Sequence, residues 1–142
     1  MVAYSFAPQF IAPIEARTKL QTVRGHRRRH ARVGEPIQLY TAMRTKHCRK
    51  IVDVDPVCIR VWDIRIVVDS TERRLISNME IEGIYQSPWD IEAFAKRDGF
   101  TADQEKSAAK RMGEFWLKSH SAGDDGRIDF SGVVIRWGWP HG

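Results

Sequence analysis

The sequence predicts an α+β fold, a β-barrel of about five to seven strands with two to three flanking helices, and three observations carry that reading. Segments with strand-like alternation lie near both ends, at Val2–Phe6 and from Ile128 to Trp137. The β-rich text from Cys48 to Val68 contains no helical pattern, so strands neighbour strands instead of alternating with helices as in a βαβ array. Two capped helical patterns fall together between Ser87 and Trp116. A final strand that completes the barrel would remove exposed edges. At 142 residues, with no internal repeat or low-complexity linker, the chain reads as one domain spanning 1–142.

In chain order, Val2, Tyr4 and Phe6 alternate as one face of a first strand. Pro8 opens a brief helix that turns Phe10, Ile11 and Ile14 to the core, and Pro13 keeps it short or bent. Segment 17–33 is poor in apolar residues and predicts a long basic loop. Gly34-Glu35-Pro36 is a turn into a strand at Ile37–Met43. Asp55-Pro56 divides the following β-rich text into two strands, the second placing Trp62, Ile64, Ile66 and Val68 on one face. A further strand surrounds Met79–Ile81. Ser87-Pro88-Trp89-Asp90 supplies an N-cap serine, a proline at the first helical position and an acid at the third. That helix buries Ile91, Phe94 and Ala95 and stops at Gly99. Thr101-Ala102-Asp103-Gln104 repeats the capping logic for a second helix, which presents Ala108, Ala109, Met112, Phe115 and Trp116 to the sheet.

Composition narrows the function classes. No stretch of about 18 uncharged apolar residues occurs, and the first residues lack a basic segment followed by an apolar block, so neither a membrane span nor a secretory signal is expected. Cys48 and Cys58 fit a reduced, cytoplasmic pair and do not provide paired metal-ligand spacing, so the reading includes no metal and no cofactor. The formal charge of +5 is unevenly placed: residues 17–50 carry +10 against −5 for the remainder. The basic residues there are Arg17, Lys19, Arg24, Arg27, Arg28, Arg29, Arg32, Arg44, Lys46, Arg49 and Lys50, opposed by Glu35 alone. Such separation attracts phosphates by counterion release, although a solvated loop with no partner has the same composition.

Within this basic region, Lys19 and Thr22 are three residues apart and can face one cavity if the segment is helical or turns tightly. A lysine of lowered pKa could deprotonate the threonine or a water, and a carboxylate across the cleft, for which Asp98 is the candidate, could position it. A plainer reading makes Thr22 a turn cap, Lys19 a phosphate contact and Asp98 an exposed residue before Gly99. Arg24 suits phosphate or base edges through its guanidinium fork. Tyr40 and Trp89 could stack a base or simply pack in the core. His26 and His30 invite a ribonuclease reading, against which the adjacent arginines would lower their pKa.

The segment Ile14-Glu-Ala-Arg-Thr-Lys-Leu-Gln-Thr-Val-Arg24 resembles the ASCH-family signature, in which a short helix ends in Gly-x-Lys-x-x-Thr/Glu-x-Arg. Lys19, Thr22 and Arg24 keep the pattern, and Arg17 stands where glycine is usual. Gly34–Tyr40, Met43–Lys50, Arg97-Asp98-Gly99-Phe100 and Phe130–Trp137 resemble later parts of the longer, phage-type version of that family. The resemblance implies a PUA-like barrel and a basic cleft for RNA or a modified nucleoside. Lys19, Thr22 and Asp98 would be its chemical residues, and Arg17, Arg24, Arg27, Arg28, Arg29, Tyr40, Arg44, Lys46, Arg49 and Lys50 its ligand-binding residues. One branch of the family is an acetylcytidine amidohydrolase using Lys, Thr and Glu, and Asp98 aligns with that glutamate one methylene short. Three functions are therefore expected in order: recognition of RNA or a modified nucleoside, metal-independent hydrolysis of an acylated pyrimidine (or, behind it, of RNA), and docking of the basic face onto an acidic protein partner.

Overall fold

The computed structural model describes residues 2–140. The described chain is α+β, running β1 (Val2–Phe6), α1 (Ile11–Glu15), β2 (Gln21–Gly25), β3 (Ile37–Thr41), β4 (Arg49–Lys50), β5 (Val57–Asp69), β6 (Ile76–Ile81), β7 (Ile84–Tyr85), α2 (Pro88–Arg97), α3 (Ala108–Ser119) and β8 (Arg127–Gly138). A 3-10 turn at Pro8–Phe10 leads into α1, so the proline-rich segment is short, as its sequence demands. Among the described residues no helix is long and apolar enough to cross a membrane.

The strands form two sheets instead of one barrel. The smaller has the order β1-β3-β4, with β1 parallel to β3; the larger is antiparallel, in the order β2-β8-β5-β6-β7. They meet at one corner, where Pro36 bridges Val57 and Ile37 N–H reaches the Pro56 carbonyl at 2.8 Å. On the opposite side β1 and β2 share no ladder, and one side chain spans the gap: Arg24 Nη2 donates to the Ser5 carbonyl at 2.7 Å. That missing pairing is why the expected closure does not occur, and it opens the cavity described below.

β8 lies between β2 and β5 in the large sheet and is covered on both faces. Trp137 meets Phe6 of the small sheet edge-on at 6.0 Å, while Phe130, on the opposite face by strand parity, meets Trp116 of α3 at 4.8 Å. Trp62 and Trp139 are half-buried, and Trp89, for which a core position was the plainer expectation, is 85% exposed.

Three further expectations are corrected. Segment 17–33 is not one loop, because Gln21–Gly25 forms β2 against β8; the strand is legible only through its partner, since Val23 is its one aliphatic residue. The strand at Ile37 ends at Thr41, as Ala42 and Arg44 both adopt left-handed backbone (φ 56° and 65°). The second helix begins at Ala108 and not near Thr101. Asp103 Oδ1 accepts the N–H groups of Glu105 and Lys106 in a local turn that competes with helix. Ser107 is the cap, accepting from Lys110 N–H, and Glu92 on α2 accepts the N–H groups of Ala108 and Ala109 at 3.0 and 2.8 Å. The first helix follows its sequence closely: Ser87 and Asp90 form a capping box, and Gly99 (φ 104°) ends it.

Candidate functional site

The site begins where α1 stops. Arg17 takes a left-handed conformation (φ 61°), with its N–H on the Ile14 carbonyl and that of Thr18 on the Pro13 carbonyl, a Schellman termination. The chain reverses there, and Leu20 is tied to both flanking elements: its N–H donates to the Arg97 carbonyl at 2.8 Å and its carbonyl accepts from Trp137 N–H at 2.9 Å. These bonds send the side chain of Lys19 inward and start β2.

Lys19 is 2% exposed. Its Nζ donates to the backbone carbonyl of Asp98 at 2.6 Å and lies 3.7 Å from that residue's carboxylate, over the ring of Phe10 at 4.5 Å. Burial is the main influence on its pKa, brought down to about 8; Arg24 pushes in the same direction and Asp98 opposes. Burial likewise raises the Asp98 carboxyl, against the pull of Lys19, Gln21 and Arg24. Asp98 is the C-cap of α2 and is buried, which removes the reading of an exposed residue before a glycine. Gly99 makes room for the pair: a Cβ there would sit 3.1–3.3 Å from the Lys19 side chain, on a backbone already at positive φ.

Thr22 and Arg24 come from β2. The Thr22 hydroxyl accepts from Arg24 Nε at 2.9 Å and does not cap a turn. Arg24 packs over Tyr4 and Phe6, at 5.3 and 4.9 Å. Together Lys19, Thr22, Arg24 and Asp98 line one cavity of about 320 Å³ between β1, β2 and α3. Its remaining wall is largely aromatic, from Phe6, Phe10, Phe115, Trp116, His120 and Phe130. His120 stacks on Trp116 at 4.2 Å. A polar floor with an aromatic wall suits a small planar ligand carrying hydrogen-bonding edges.

Sequence reasoning missed Gln21 and the aromatic wall. Gln21 is fully buried, reaching the Phe94 carbonyl at 3.3 Å and Asp98 Oδ1 at 3.5 Å, and its own Oε1 lacks a partner. A lone glutamine in a strand gives no signal of this. The helical spacing of Phe115 and Trp116 indicated burial, but not that a cavity would separate them from β2.

The other expected residues are distributed around this cavity and do not line it. Arg17 is exposed and stacks on Trp139 at 4.6 Å. Tyr40 is half-buried in β3 opposite Lys50. Arg27, Arg28 and Arg29 lie in the exposed loop after Gly25, Arg44 and Lys46 in the exposed loop after β3, and Arg49 is exposed in β4. Arg29 pairs with Glu35, and Lys50 with Asp55 at 2.8 Å, so part of the basic run is neutralised within the fold. Both loops leave from the cavity's edge, since Gly25 lines it and Ser5, which also lines it, holds Met43 N–H at 3.4 Å.

His30 has a structural role. Nε2 faces the Gly25 carbonyl at 2.8 Å, so it carries the proton, and Nδ1 accepts from the Tyr4 hydroxyl at 2.9 Å. Burial lowers its pKa, and both ring nitrogens are occupied, which removes it from the acid–base pair the ribonuclease reading needs.

Comparison with family models, with curated proteins and with solved structures returns no match for this chain. The class defined here is therefore structural: an α+β domain with a lysine–aspartate pair buried beneath an aromatic-walled cavity.

Proposed function

We propose that the chain is a PUA-like domain of the ASCH family whose cavity receives one base of an RNA strand or a free modified nucleoside. The observation that carries this reading is the convergence of Lys19, Thr22 and Arg24 with Asp98, distant in sequence, on one cavity of about 320 Å³. The left-handed backbone at Arg17 adds support, because that is the conformation glycine adopts most readily and glycine is the residue the family pattern usually has there. Aromatic rings stack a base, and Thr22 and Arg24 present a hydroxyl and a cation to its edge. The exposed basic loops at the rim are placed to hold flanking phosphates.

A second reading, hydrolysis of an acyl amide on a pyrimidine, is favoured by one specific feature. Lys19 titrates near 8, so an appreciable share of its amine is unprotonated just above neutrality, beside the hydroxyl of Thr22. In that reaction water adds across the amide, releasing acetate and the free nucleoside.

Equilibrium dialysis of a nucleoside mixture containing acetylated cytidine, read by mass spectrometry, tests both. Retention of a nucleoside by the wild type and its loss in Thr22→Val is expected for the binding site. Failure to retain any nucleoside or short single-stranded RNA would overturn it. Disappearance of the acetyl group with the wild type and not with Lys19→Met would establish hydrolysis in addition.

A further inference from the structure

A second feature lies beyond this cavity, at the other side of the contact between Gln21 and α2. In the pairing of β5 with β8, Arg60 stands directly opposite Arg136, at a β-bulge between Cys58 and Arg60. Like charges placed across a ladder destabilise it, and bulges commonly re-aim side chains beside functional sites. Both guanidinium groups lie over the indole of Trp62, at 5.7 and 4.8 Å from its centre.

Arg97, in the last turn of α2, is the third member. Its charge and that of Arg60 act on Arg136, whose own pKa is lowered first by burial and then by these two neighbours. Among the described residues none of the three side chains joins an ion pair. The Nε atoms of Arg97 and Arg136 are buried without a hydrogen-bond partner. Burying unpartnered donors of a cation costs free energy, and among the described residues no carboxylate pairs with the three guanidinium groups; the Trp62 ring is what faces Arg60 and Arg136.

Arg136 and Trp62 border a groove of about 300 Å³ whose other walls include Ile81, Ile84, Gln86 and Phe94. Glu82 also borders it, with its carboxylate engaged by Asp63 N–H at 3.0 Å. We propose that Arg60, Arg97 and Arg136 form an anion site for a phosphomonoester, whose flat or apolar remainder lies in the groove against Trp62, Ile81 and Phe94. A monoester carries close to two negative charges and three acceptor oxygens, whereas a backbone diester carries one charge; the paired Arg60 and Arg136, with the charge of Arg97 nearby, match the former.

The test is titration of the protein with phenyl phosphate, phenol and inorganic phosphate, followed by calorimetry and by the indole and arginine Nε signals in NMR. Phenyl phosphate is expected to bind more tightly than either fragment and to shift the signals of Trp62 and Arg136. Arg60→Gln, at an exposed position that leaves the fold intact, and Arg136→Gln are each expected to weaken it about tenfold, as loss of one charge-assisted contact does. Arg24→Gln, in the other cavity, is expected to leave it unchanged, which separates this site from the nucleoside reading. Absence of binding at millimolar phenyl phosphate, or equal binding in Arg60→Gln and Arg136→Gln, would overturn the proposal. Equal competition by an oligonucleotide lacking a terminal phosphate would overturn the monoester assignment.

Discussion

Lys19 carries an amine where water scarcely reaches, and the consequences can be measured one residue at a time. The unfolded chain holds this group at 10.5 and the folded chain at about 8, so between those values the unfolded state binds more protons. The contribution of Lys19 to stability is therefore lowest below pH 8 and rises as pH increases from about 8 to 10.5. Urea unfolding at pH 7.5 and 9.5 should show this gain in the wild type, and a smaller one in Lys19→Met. Asp98→Asn should move the Lys19 pKa below about 8, because the carboxylate is what raises it against burial; NMR titration of Nζ reads the direction. Gly99→Ala forces a Cβ against the Lys19 stem on left-handed backbone. A loss of about 1–3 kcal/mol is expected by chemical denaturation, together with a displaced Lys19 resonance.

Elements hold these residues in place through a few decisive contacts. β2 pairs with β8 at Gly25 and Gly132, where a Cβ on Gly132 would lie 2.3 Å from the Arg24 carbonyl. Backbone cannot yield as a side-chain tip can, so Gly132→Ala should cost about 3 kcal/mol or more in thermal unfolding and detach the strand bearing Thr22 and Arg24. The cap of α2 was legible because Ser-Pro-x-Asp satisfies the first N–H groups locally. The start of α3 was not, because its first N–H groups are satisfied by Glu92 from another helix, a partner that spacing does not reveal. β2 escaped for a related reason: its alternate residues are Gln21, Val23 and Gly25, and only the register against β8 makes it a strand. Lys19, Thr22 and Asp98 were legible as types at suggestive positions. Their shared cavity depends on contacts spanning some 79 residues of chain, between Lys19 and Asp98.

Across the whole molecule, charge is separated from shape. Lys19, Thr22 and Asp98 are buried at the cavity, whereas Arg28, Arg44 and Lys46, on loops at its edge, and Arg49, in β4, stand in solvent. If the ligand is a strand, those loops govern the ionic response: log affinity for single-stranded RNA should fall with log salt at roughly −0.7 per phosphate contacted. Arg44→Glu with Arg49→Glu should flatten that slope and weaken RNA binding, while leaving retention of a free nucleoside unchanged; filter binding and dialysis distinguish the two. The place of β8 between β2 and β5 has a consequence in time as well. β2 and β5 each lean on residues 127–138 and not on each other, so during synthesis the early half of the chain waits without its partner. Lys19, Thr22 and Arg24 are made soon after translation begins, yet they have no cavity to line until the strand that separates β2 from β5 has left the ribosome.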